Sequence, residues 1–338
     1  MAISLKTAKM LWGRAAGRCS MPECRQPLVI DSTETDNEAL IGDMCHIVAE
    51  SEDGPRGQSP LTRDERDQYD NLILLCRNHH GEIDGQPGIF SVERLKAIKA
   101  DHEGWVRNSL PGYDRQRQQD DETYAGYIDE WTRRCNLDRW TGWSSFVLGA
   151  DRPTTTVAMN RQLEELGPWL LGRAWPGRYP AVERAFANFR VVLQDLRNTF
   201  LSHAERPTPD NEWLVTVKFY QSREWDEERY QRLGNAYDFH VALVDDLMLE
   251  LTRAANFICE EVRAHILPTF RLEEGIVMVE SGPHLPDANW RTFAVHYTSK
   301  EKATQPLPYP GLEAFKKDVR FTRDRCFGDP KDTREYVK

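Results

Sequence analysis

The chain has 338 residues, of which 40% are hydrophobic and 29% charged. That length suits two or three domains of roughly 100–200 residues each, and the composition excludes wholesale disorder. No apolar run approaches the ~20 residues that span a bilayer, so no membrane partner is expected. The formal net charge is −10, with 13 Lys/Arg against 18 Asp/Glu in residues 1–110 and 31 against 36 in the rest. Phosphate binding is driven largely by Lys and Arg. A chain with this balance is expected to bind nucleic acid weakly by itself and to need regulation or a partner.

Residues 5–18 read as a short helix that packs Leu11 and Trp12 inward and stops at Gly17. Cys19-x4-Cys24 follows as a knuckle. Asp43–Val48 alternates well enough for a strand, which carries Cys45 and His46. Residues 50–70 are polar, contain Gly54-Pro55-Arg56-Gly57, and read as a loop. Asn71 opens the apolar run 72–75, and Cys76-x2-His79-His80-x3-Asp84 lies on a helix over 76–86 that Pro87 and Gly88 stop. A further helix is expected over 91–110, with His102 in the core or on the helix surface. Pro111-Gly112 and the polar stretch 114–122 then break the pattern. The expected division is a domain at 1–110, a linker at 111–122 and a second domain at 123–338.

The second domain reads as mainly helical, with helices near 123–138, 159–173, 180–204 and 226–266. Strands are expected at 213–220, with Trp213, Val215, Val217 and Phe219 on one face, and at 275–280 and 290–297. Trp131, Trp140, Trp143, Trp169, Trp175, Trp213, Trp225 and Trp290 fall in this half and are expected in its core. The fold class is α+β.

Seven cysteines, an odd count, with four at metal-ligand spacing, favour a reducing cytoplasm over a disulfide scaffold. The start, Met1-Ala2-Ile3-Ser4-Leu5-Lys6, has no basic region followed by an apolar core, so no signal peptide is expected. Cys19, Cys24, Cys76 and His79 make a Cys3His set suited to a closed tetrahedral Zn²⁺ site. His46, Asn71, His80 and Asp84 remain, and they are the residue types a hydrolytic metal site uses. Four residues apart, His80 and Asp84 share a helical face.

Cys-His-Ile-Val-Ala-Glu-Ser, Gly-Pro-Arg-Gly and Asn-Leu-Ile-Leu-Leu-Cys-Arg-Asn-His-His-Gly-Glu-Ile-Asp, in that order, resemble the zinc-ribbon branch of the HNH endonucleases. The resemblance covers roughly residues 5–108. It implies a ββα-metal fold, a β-hairpin and a helix around one divalent ion, that hydrolyses phosphodiester bonds in DNA. It makes His46 the general base, Asn71 the residue that holds the loop and orients His46, and His80 with Asp84 the ligands of Mg²⁺ or Mn²⁺. Many members place Asp or His just before the catalytic histidine; here Cys45 stands there, as a ligand or as a packed thiol. Arg56 is either a phosphate contact or a loop residue. Arg14, Arg18 and Arg25, and Arg56, Arg63 and Arg66, are candidates for a basic strip.

Leu196-Arg197-Asn198-Thr199-Phe200-Leu201-Ser202-His203 resembles the signature of HEPN helical domains, some of which cut RNA with Arg and His. A structural role in hydrogen bonds between helices is the alternative for Arg197 and His203. By analogy of architecture, the second domain would control the nuclease by sensing a ligand or protein partner, in bacterial anti-phage or restriction-type defence and as a homo-oligomer. Two alternatives stand beside this: a C-terminal domain that reads DNA sequence or modification, and a non-catalytic zinc-binding adaptor of a larger complex.

Overall fold

A computed structural model describes residues 3–30, 39–109, 114–149, 152–221, 226–284 and 289–318. The fold is α+β, with the strands in small sheets. It divides into two compact units, Met1–Glu130 and Trp131–Lys338. Among the described residues no helix is long and apolar enough to cross a membrane.

The first unit begins with α1 (Leu5–Arg14), whose start is capped by the Ser4 hydroxyl accepting from the Thr7 amide at 3.1 Å. A small antiparallel pair follows, β1 (Val29–Ile30) with β2 (Ala39–Leu40). Then β3 (Gly42–His46) leads through a loop holding α2 (Arg63–Arg66) and a 3-10 turn at Tyr69–Asn71 into β4 (Leu72–Cys76). The strands β3 and β4 are antiparallel, with Cys45 opposite Ile73 and His46 opposite Leu72. Next come α3 (Arg77–Gly85), α4 (Val92–Ser109) and α5 (Arg115–Arg134). Every residue of β4 is buried. This apolar run forms the centre of a core shared with Leu11, Leu28, Ile83 and Leu95, which is why it can be a continuous hydrophobic strand.

The expected linker is not one beyond its first residues. From Arg115 onward the polar stretch is helical, while residues 111–113 lie outside the described residues. The Asp114 carboxylate accepts from the Arg117 amide at 2.9 Å, starting the helix. Its inward face meets α1 through polar groups: Gln118 donates to the Lys9 carbonyl at 3.0 Å, and Arg14 grips Glu122 with two bonds of 3.1 Å. Both Asp129 oxygens accept the first free amides of α1, those of Leu5 and Lys6, at 2.9 and 2.8 Å. Gly13 permits this approach, since a Cβ there would lie 1.6 Å from the Gln118 side chain. Over residues 115–122 the helix docks by charge and amide groups and lacks the apolar stripe that marks a helix in sequence. The stripe starts only at Tyr124, which is buried with Ala125, Ile128 and Trp131.

The second unit contains α6 (Trp140–Val147), β5 (Thr154–Thr156), α7 (Val157–Leu171), α8 (Pro180–Leu201), β6 (Ala204–Glu205), β7 (Trp213–Thr216), α9 (Glu227–His265), β8 (Met278–His284), β9 (Asn289–Ala294), α10 (Ser299–Lys302) and α11 (Leu312–Asp318). The long helices α8 and α9 pack along one another. Trp131 stands edge-on to Phe186 and Phe189 of α8. Trp131, Trp140 and Trp143 are core residues as expected; Trp290 is 57% exposed, and Trp225 lies outside the described residues. The strand expected over 213–220 ends at Thr216, because the Phe219 amide turns back to the Val217 carbonyl at 2.9 Å. It lies between β5 and β6 in a three-stranded antiparallel sheet.

Candidate metal centres

After α1 the chain reverses through Ala16 and Gly17, both at positive φ, and enters the knuckle. The Cys19 amide donates to the Gln26 carbonyl at 3.0 Å and the Cys24 amide to the Met21 carbonyl at 3.0 Å, which turns both thiols inward. The Ser20 amide donates to the Leu74 carbonyl at 2.9 Å, docking the knuckle on β4. Cys76 ends β4 and is also the cap residue of α3. His79 follows in the first helical turn, its Nδ1 3.0 Å from Cys76 Sγ and 3.5 Å from Cys19 Sγ.

The donor atoms of Cys19, Cys24, Cys76 and His79 all lie within 4.8 Å of one another. A tetrahedral zinc with bonds near 2.3 Å to sulfur needs donors about 3.7 Å apart. The four residues therefore fit, and the group can hold a metal ion such as zinc. Glu82, its side chain 45% exposed, lies 3.8 Å from the other nitrogen of His79, beyond hydrogen-bond length. Burial pushes the Cys19 thiol up to about 12, an effect that a bound cation reverses.

His80, the next residue of α3, belongs to a different group. Its Nδ1 is 3.1 Å from Asp43 Oδ2 and its Nε2 is 3.4 Å from Asp84 Oδ2. All three side chains are a little over one-third exposed. The shared helical face expected for His80 and Asp84 is present. Asp43, on β3, is an addition to the residues singled out in sequence. Each ring nitrogen has its own carboxylate, so among the described residues these three do not converge on one point as the Cys3His group does. As donor types, carboxylate and imidazole suit a hard or borderline cation better than a soft one.

Cys45 is 1% exposed, and its thiol contacts the Asp43 carbonyl at 3.4 Å. Burial raises its proton affinity further, so the thiol is packed and neutral. Arg56 donates to the carbonyls of Ile47 and Ile83 at 2.6 Å each and to Asp84 Oδ1 at 2.9 Å. Its side chain is 5% exposed. Arg56 thus ties the loop to the end of β3 and to α3.

The basic strips do not form. Arg66 is buried and donates to the carbonyls of Ala49, Gly57, Ser59 and Leu61. Arg14 is held by Glu122, Arg18 donates to the Arg25 carbonyl, and Arg25 lies over the Trp105 ring. In the second trio only Arg63 projects, with a side chain 75% exposed. Arg18, Arg56 and Arg66 turn to backbone carbonyls because loop carbonyls without sheet partners need donors.

His46, at the end of β3, is linked by no hydrogen bond or ion pair to His80 or Asp84 among the described residues. Its Nε2 meets Asp67 Oδ1 at 3.0 Å. Asn71 is 4% exposed and does not bond the His46 ring. Its amide oxygen accepts from the Val48 amide, and its nitrogen donates to the carbonyls of Val48 and Arg66, each at 2.9 Å. Asn71 thus orients His46 only through the backbone. It closes the loop 48–66, whose ends adjoin His46 and Asp67.

In the second unit, Arg197 pairs with Glu164 of α7 at 3.6 Å, the contact between helices foreseen as the structural alternative. His203 lies past the end of α8, its ring centroid 4.3 Å from that of Phe219 and 4.7 Å from that of His240. No bond joins Arg197 to His203 among the described residues. His102 is buried and its Nε2 bonds the Ala15 carbonyl at 3.1 Å, a core role as expected. In comparisons with known proteins, no family model and no curated protein sequence matches the chain.

Proposed function

We propose that the first unit is a zinc-stapled, metal-dependent DNA endonuclease of the HNH kind. The observation that carries this reading is the order of elements around β3, β4 and α3. An antiparallel pair runs directly into a helix, with His46 on one strand, Asn71 at the start of the other, and His80 with Asp84 on the helix. The zinc-ribbon HNH branch, with its ββα-metal fold, has these residue types in this order. A Mg²⁺ or Mn²⁺ ion held by His80 and Asp84 would stabilise charge on the scissile phosphate and the departing 3′ oxygen. His46 takes a proton from the water that attacks phosphorus. Asn71 keeps the loop next to His46 closed, and the Cys3His group staples the knuckle to β4 and α3.

Residues 131–338 would control this unit in response to a ligand or protein partner, in a cytoplasmic, oligomeric defence protein. The acidic balance and the inward-facing arginines support weak intrinsic DNA affinity, which such control requires. The test is cleavage of supercoiled plasmid by the purified full chain with Mg²⁺, Mn²⁺ or EDTA, alone and with extract of phage-infected cells. Metal-dependent nicking is expected, reduced roughly 10²–10⁴-fold in His46→Ala. Intact plasmid under every condition, from a folded and zinc-loaded chain, would sink the reading.

A further inference from the structure

The loop that leaves β3 after His46 returns at Asp67, the residue that ends α2. The two side chains meet there, 21% and 12% exposed, with Nε2 and Oδ1 3.0 Å apart. Among the described residues this is the sole hydrogen bond or ion pair of either side chain. An ionised carboxylate only accepts, and a neutral imidazole donates from one nitrogen and accepts at the other. In a neutral ring the contact places the proton on Nε2 and leaves the lone pair on Nδ1, to which no described residue makes a hydrogen bond or ion pair.

We propose that Asp67 is a positioning residue that holds His46 as the Nε2–H tautomer and presents Nδ1 as the proton acceptor. Its kinetic consequence rests on the endonuclease reading; the tautomer does not. In the reaction an O–H bond of water breaks and its proton passes to Nδ1, while the water oxygen forms a bond to phosphorus. The P–O3′ bond breaks with its electron pair leaving on the 3′ oxygen, which takes a proton from solvent. Throughout, Asp67 accepts from Nε2–H and faces the imidazolium as its counter-charge, the arrangement by which one ring nitrogen's partner fixes the role of the other.

Asn71 makes the pairing stiff rather than incidental. Through one side chain it binds Val48, two residues after His46, and Arg66, the residue before Asp67. Arg66 in turn fills the loop interior with its guanidinium. The backbone beside both partners is thus anchored, so little further backbone entropy is lost in forming the bond.

The experiment uses zinc-loaded full chain with isotope-labelled histidine, the His46 ring being assigned by its loss in His46→Ala. A protonated Nε2, a bare Nδ1 and an exchange-protected Nε2–H signal are expected, with that signal lost in Asp67→Ala. Plasmid cleavage by Asp67→Asn and Asp67→Ala is expected to show kcat lower by about 10- to 100-fold with KM within about twofold. That is the scale seen when the carboxylate behind a metal-ligating histidine is removed. An Nδ1–H ring in the wild type, or an Nε2–H signal unchanged in Asp67→Ala, would overturn the proposal, as would an unaltered kcat. Should Asp67→Ala not fold, the wild-type ring spectrum and the isosteric Asp67→Asn still decide. If the wild type cleaves nothing, the endonuclease reading fails while the spectrum still answers for the tautomer.

Discussion

The two units bury polar side chains to opposite ends. In the first, Arg56, Arg66 and Asn71 reach the carbonyls of irregular backbone around His46. In the second, buried polar groups fasten added segments to a long helix pair. Tyr297 donates to Glu250 of α9 at 2.7 Å, and Asn188 of α8 donates to Tyr297 and accepts from the Tyr309 amide. Asn256 of α9 bonds Val277 and Val295. The loop after His46 has few regular backbone pairs and needs side-chain donors to hold its shape. A unit built on two helices of 22 and 39 residues has its backbone satisfied already and uses polar groups as clasps.

The largest expected effect follows from removing the metal. Apparent zinc-binding energies of about 10–16 kcal/mol exceed what a small domain keeps in reserve. Chelation, or Cys76→Ser, should raise deuterium uptake across residues 39–109 to unprotected levels while α8 and α9 change little. Equal loss of protection in both units would show that the contrast is wrong. Arg66→Met, which keeps bulk but removes the donors, should cost about 3 kcal/mol, read as a lower urea midpoint with early uptake in residues 48–61. Stability unchanged in that variant would mean water can replace the guanidinium.

The smallest effect lies in the second unit. His240 is 6% exposed, and burial, aided by neighbouring His203, lowers its pKa to about 4. Between pH 6.5 and 4 the unfolded chain binds a proton that the folded chain does not, so stability falls as pH falls through that window. Roughly 2 kcal/mol should go between pH 7 and 5. His240→Gln removes this contribution, so urea titrations of wild type and variant should differ in pH slope by that amount; parallel slopes would refute it.

The Cys3His group was legible in sequence because thiolate chemistry demands rare residues at short, fixed spacing. His80 with Asp84 was legible because helical period brings them together. Asp43 and Asp67 were not: acidic residues are common in this chain, and nothing local marks the two that face imidazoles. The roles of Arg56 and Arg66 were hidden for a related reason. A charged residue in a polar loop reads as solvent-facing, and only the closed loop shows that its carbonyls lack donors. The start of α5 was misread because its docking face is polar, so composition resembled a linker. The short elements α2, α6 and α10 carry too little period to announce themselves.

Cys76, His79, His80 and Asp84 all lie within one nine-residue helix and its cap. Each residue added to a helix turns everything after it by about 100°. One insertion between Cys76 and His79 would swing His79 away from the thiols and His80 away from Asp43 together. The same insertion after Gly85 would leave both groups untouched. Tolerance to length change should therefore drop sharply across this single turn of chain, so an insertion scan would find the region most constrained by register without any assay of chemistry.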